Sequence, residues 1–180
     1  MKAISIWQPW ATLVAIGRKR VETRAWSTSY RGPIAIHAAR RWDSKLSCMC
    51  RTYKPIRDAL CTDLEIARRI EAPEELARGV DPFLPLGCIV ATARLVACLP
   101  TPRVITDPCA TITLADPRRL PEADPMAYAL TPEEQALGNY EPNRWAWVLE
   151  GIAALRTPIP YRGAQGLFKI PDDIFEEPRS

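Results

Sequence analysis

The chain has 180 residues, 47% of them hydrophobic, and a formal net charge of +3. That length makes one domain the default, the apolar share suffices for a core, and the absence of any twenty-residue apolar run leaves no candidate membrane-spanning helix. The modest total hides a polarity: Met1 to Arg57 carries twelve bases against two acids, a net of +10, whereas Asp58 to Ser180 carries twelve bases against nineteen acids, a net of −7. A basic first third suggests a face that meets phosphate or another anion. Most of the bases are arginine, whose planar fork suits phosphate and base edges. The six cysteines include no Cys-x-x-Cys pair, and with the single histidine, His37, they fit no common zinc spacing. No P-loop, dinucleotide fingerprint or Ser/His/Asp arrangement appears, so neither metal nor cofactor is expected. The opening Met1-Lys2-Ala3-Ile4 has no apolar h-region; a cytoplasmic protein with reduced thiols and no membrane partner is the expectation.

Along the chain, Lys2–Ile6 alternates and is β-branched, which predicts a strand. Pro9 suits the first turn of a short apolar helix over Trp10–Ile16, with Gly17 as its stop. Arg20–Arg24 alternates again. A turn at Ser29–Pro33 leads to Ile34–Ala38, a strand apolar on both sides and therefore central. Residues 42–80 read as a helical insert, with Thr62 and Glu65 at capping-box spacing before one helix and Pro73–Gly79 as another. Gly87–Leu99 is the longest β-like run, long enough to require a bend or bulge. Residues 100–140 read as an irregular proline-rich insert, ending in a helical turn at Pro132–Leu137. Arg144–Leu155 is a strand pair or one long bent strand, and Thr157–Phe168 is rich in turns. Strands at both ends with helices between them predict an α+β fold, a small partly open barrel rather than a βαβ sheet, in one domain over residues 1–180.

The stretch Gly17 to Trp26 holds five charges in ten residues. On a strand, Val21 and Thr23 share one face and Arg20, Glu22 and Arg24 the other. Glu22 and Arg24 then stand one repeat apart, about 6.5–7 Å, near enough to pair. An arginine held by a carboxylate is a fixed fork for phosphate or a base edge, and Lys19 at the turn reaches over the same cleft. Trp7, Trp10 and Trp26 flank this strand; Trp10 and the alternating Trp145 and Trp147 suit a core, whereas Trp26 suits base stacking. Gln8 either reads a polar base edge or caps the backbone. His37, on the face of Ala35 and Ala39, is a core histidine or a general base. Arg162–Gly166 is a glycine-punctuated turn whose amides suit an anion.

Gly17, Lys19, Glu22 and Arg24 complete the pattern G-x-K-x-x-E-x-R. It follows SIWQPWA at 5–11 and precedes Trp26, YRGP at 30–33 and IHAA at 36–39, with NRWAWVLE and PIPYRGAQGLF near the C-terminus. This ensemble resembles the ASCH family, whose fold is a β-barrel similar to the PUA domain of RNA-modifying enzymes. The resemblance implies a PUA-like mixed barrel and an RNA- or nucleotide-binding protein that uses a basic cleft beside the motif. Taken with the reading of the residues, it makes Gln8, Lys19, Arg24, Trp26, Arg31, Arg40, Arg162 and Gln165 the candidate binding residues. The alternative is a small hydrolase acting on RNA or on an acylated nucleoside such as N4-acetylcytidine, with Lys19, Glu22 and His37 as catalytic candidates. For the second activity, Lys19 stands at the family's lysine, Glu22 replaces its threonine, and IVATARL, where its glutamate would fall, contains no acid.

Overall fold

In the computed structural model, which describes residues 1–71, 84–101, 112–115 and 128–175, the chain divides into two compact units. The first holds residues 1–18, 33–93 and 151–180; the second holds 19–32 and 94–150. The expected helix at Pro73–Gly79 and most of the proline-rich stretch fall outside the described residues.

In the first unit, β1 (Lys2–Ile6) runs parallel to β3 (Gly32–Ala38), with Ser5 opposite His37. The short antiparallel β8 (Leu167–Lys169) covers the other side of β1. The strand order is β7, β4, β3, β1, β8, to which β4 (Cys88–Pro100) and β7 (Trp145–Pro160) lend residues up to 93 and from 151. β3 therefore has a neighbour on each side, and Ile34, Ala35, Ile36 and Ala38 are all 0% exposed. This is the central position its apolar faces predict. Ala3, Ala35, Ile89 and Ile170 form a core against which Leu155, Ile159 and Phe168 pack.

The helix α1 (Trp10–Ala15) buries Ala11, Leu13 and Val14, while Trp10 stays partly exposed. Gly17 stops it as expected. Its φ of +75° allows its N–H to donate to Val14 O and that of Arg18 to donate to Leu13 O, both at 2.9 Å. These two bonds close the left-handed cap that glycine favours. Pro9 is the residue before the first turn rather than within it. Gln8 supplies the missing cap, its Oε1 accepting the Thr12 N–H at 3.0 Å.

The helices α2 (Ser44–Thr52), α3 (Lys54–Leu60) and α4 (Leu64–Glu71) occupy the expected helical insert. Asp43 caps α2 by accepting the Leu46 N–H, and α3 buries Ile56, Ala59 and Leu60 at helical spacing. The cap of α4 is Asp63, which accepts from the N–H groups of Glu65 and Ile66. Thr62 instead donates to Ala59 O. A carboxylate outcompetes a hydroxyl for orphan amides, so the boundary falls one residue later than the Thr62–Glu65 spacing predicts.

In the second unit, β2 (Val21–Arg24) pairs antiparallel with β7, with Val21 opposite Val148 and Arg24 opposite Trp145. The order is β2, β7, β4. β5 (Thr113–Leu114) and β6 (Tyr128–Ala129) form a separate ribbon, and α5 (Pro132–Ala136) is capped by Thr131. Val21, Leu99, Leu114, Leu130 and Val148 make the core of this unit. β7 is one long strand rather than a pair, and its expected break falls at Gly151, whose φ of +56° is the left-handed region. A Cβ there would meet nothing within 4 Å, so backbone conformation and not space calls for glycine.

Candidate functional site

The C-terminal ends of β1 and β3 bring together side chains far apart in sequence. Ser5, His37, Ala39 and Arg40 line a cavity of about 690 Å³ with Arg162, Gly163, Ala164 and Gln165 from the turn before β8. No acid is among these lining residues, and both arginines lie on exposed positions. Parallel strands end in unpaired backbone at such a place, where α/β proteins commonly bind ligands.

His37 stands behind the cavity wall at 2% exposure. Its Nε2 is 3.0 Å from Tyr161 O, which only accepts, so Nε2 carries a proton. Nδ1 lies 3.0 Å from Ser5 Oγ, and the same hydroxyl is 3.1 Å from Ala164 O. In the neutral ring Nδ1 is an acceptor, and it competes with Ala164 O for the single Ser5 hydroxyl proton. Burial pushes the imidazole below its ordinary value against the upward pull of the Tyr161 carbonyl, and Arg40 adds to the lowering. The unfolded chain therefore takes up this proton first as pH falls. His37 should cost no stability above pH 6.5 and should weaken the fold as pH drops below it. Melting temperatures of the parent and of His37→Gln, compared from pH 8 to pH 5, should diverge below pH 6.5 with the parent losing ground. Parallel curves would show that the ring protonates at no cost.

Two glycines shape the wall. A Cβ on Gly163 would lie 2.4 Å from His37 Cε1 and 2.7 Å from Ser5 Oγ. One on Gly87, whose φ is +62°, would lie 2.8 Å from Arg40 Cγ. Gly87 also donates to Ala38 O and accepts from the Tyr161 N–H, so Arg40 packs on a tethered backbone.

Three of the G-x-K-x-x-E-x-R residues, Lys19, Glu22 and Arg24, gather in the second unit, while Gly17 belongs to the first. Glu22 is the hub: Lys19 Nζ lies 3.7 Å from its Oε2 and Arg24 Nε lies 3.4 Å from its Oε1. The expected Glu22–Arg24 pair is thus present, but Lys19 does not swing over a wet surface. It is 1% exposed, donates to Val21 O, and sits 6.0 Å from the centre of the Tyr140 ring. Burial pushes its amine below the ordinary value, against Glu22 and Glu134, which hold the proton on. Glu134, on α5, is 4% exposed; it accepts the Arg20 N–H at 3.1 Å and the Tyr128 hydroxyl at 3.1 Å. Burial and this carboxylate push the Tyr128 phenol up to about 12. Sequence reasoning passed over Glu134, although Thr131-x-x-Glu134 has capping spacing and places a carboxylate on a first helical turn.

The candidate residues therefore separate by unit. The cavity unites His37, Arg40, Arg162 and Gln165, and adds Ser5, which gave no sequence signal beyond its place in an alternating strand. Gln8 is 0% exposed with its amide engaged at both ends, Nε2 donating to Pro85 O and Oε1 accepting from Thr12, so the capping alternative is the one realised. Lys19, Glu22 and Arg24 share the second unit with Trp26 and Arg31. Trp26 meets Trp147 edge to face at 4.7 Å and is 37% exposed. Arg31 donates to the carbonyls of Thr28 and Tyr30.

Residues 4–110, which hold the motif strand, β1, β3 and the helical insert, match the ASCH domain. The chain belongs to the ASCH family. Its mixed α+β architecture, with helices inserted between strands, agrees with the PUA-like expectation. This ASCH chain is 32% identical over 98 residues to activating signal cointegrator 1 of Homo sapiens, and equally to that of Mus musculus. The alignment covers 53% of this chain and 14% of each relative. In the ASCH chain, no described helix is long and apolar enough to cross a membrane.

Proposed function

We propose that this ASCH protein binds single-stranded RNA or a nucleotide, with a phosphate held in the cavity at the ends of β1 and β3. The supporting observation is the convergence of Arg40 and Arg162 on one concavity that has no lining acid. Two guanidinium forks offer only donors to an anion, and the Gln165 amide adds one donor group and one acceptor for its flanking groups. The G-x-K-x-x-E-x-R strand has a different role in this reading. Lys19 and Glu22 are buried and support the fold of the second unit, while Arg24 and Trp26 keep partly exposed surfaces there.

The test is a fluorescence anisotropy titration of labelled single-stranded RNA at several salt concentrations. Arg40→Ala and Arg162→Ala should each weaken binding about tenfold and lower the salt slope by about one. If both variants bind like the parent at low salt, the cavity is not the site. A second reading, hydrolysis of the bound RNA, is favoured by the 3.0 Å Ser5–His37 contact, which places a base behind a hydroxyl on the cavity wall. Cleavage in the same mixtures that disappears in His37→Gln would support turnover.

A further inference from the structure

We infer that Trp7, with Arg41 laid on its ring, is the platform on which this protein stacks a nucleobase beside the phosphate cavity. The inference rests on the RNA-binding reading above and names the part of the ligand that reading leaves open.

The placement follows from the two chain segments that leave the cavity wall. Ser5 and His37 are register partners and both line the cavity. Trp7 lies two residues beyond Ser5, immediately after the end of β1. Arg41 lies two residues beyond Ala39, another lining residue, just past the end of β3. The Ala39 N–H still donates to Ile6 O at 2.9 Å, which holds the two chain segments side by side past the last strand residues. At this edge the Arg41 guanidinium sits 4.2 Å from the centre of the Trp7 ring.

Trp7 is 48% exposed, an unusual state for the side chain that gains most from burial. Arg41 is held in turn, its Nη2 being 3.4 Å from Asp43 Oδ2, while Asp43 Oδ1 caps α2 through the Leu46 N–H. The helix cap thus orients an arginine, and the arginine orients an indole. A flat cation on a flat ring beside a phosphate site is the arrangement that single-stranded nucleic acids use, because every base has a π-face. Trp26, the sequence candidate for stacking, has its ring set edge to face against Trp147 and its carbonyl accepting the Trp147 indole N–H. It offers less free ring than Trp7.

The experiment compares two labelled probes of equal length, hexaadenylate and an abasic ribose-phosphate hexamer. Trp7→Ala should weaken hexaadenylate binding about tenfold or more and leave the abasic probe unchanged, and Trp7→Phe should recover most of the loss. Arg40→Ala should weaken both probes. If Trp7→Ala binds hexaadenylate like the parent while Arg40→Ala does not, the platform is refuted and the phosphate site stands. Equal losses on both probes for Trp7→Ala would also refute stacking. If Arg40→Ala and Arg162→Ala bind both probes like the parent, the underlying RNA reading fails instead.

Discussion

Lys19→Ala should destabilise the protein by about 3–5 kcal/mol, the usual cost of removing one partner from a buried ion pair. The lysine is 1% exposed, and its charge is compensated by Glu22 and by Glu134. Without it, Glu22 keeps only the partly exposed Arg24, and a cavity opens beside Tyr140. The energy at risk is mainly the cost of a buried carboxylate left with a single, partly exposed partner, so Lys19→Met combined with Glu22→Gln should recover much of the loss. Urea unfolding with an unchanged slope measures it. A loss below about 1 kcal/mol would mean that the lysine is solvated in the folded state. The same result governs how any binding defect of Lys19→Ala is read, because a variant this unstable loses ligand by unfolding.

Gly163→Ala should damage the cavity more than either arginine variant. The added methyl would lie within 2.7 Å of both the buried His37 ring and Ser5 Oγ. The ring cannot retreat without breaking its bond to Tyr161 O, and Ser5 is held by its strand. Overpacking of this kind costs about 1–3 kcal/mol, and here it falls on the ligand side as well. RNA affinity should drop by more than tenfold while the fold survives, as checked by anisotropy beside a thermal melt. Parental affinity in a folded Gly163→Ala protein would show that the ligand does not enter between these residues.

What could be read from the residues was local. β1, α1 with its Gly17 stop, β2, β3, β4 and α5 each announce themselves through alternation, an apolar stripe or a glycine at a chain reversal. α2 and α3 were expected only as an undivided helical insert, since cysteine, threonine and Lys54-Pro55 interrupt their pattern and only the Asp43 cap marks a start. The site divides along the same line. The Glu22–Arg24 pair follows from a two-residue spacing and needs nothing distant. Lysine burial is rare, and the groups that compensate and cover Lys19 come from Glu134 and Tyr140, more than one hundred residues away. Trp7 had no advantage over Trp10 or Trp26 until Arg41 was found on its ring.

The parallel pairing of β1 with β3 and the antiparallel pairing of β1 with β8 mean that one small cavity is walled by Ser5 and by Gln165, which are remote from each other in sequence. An occupant would bridge two segments that are far apart along the polypeptide, like a clasp. Its binding free energy would then add to the work needed to peel β8 away from β1, so saturation should raise the melting temperature and slow hydrogen exchange of the β8 amides.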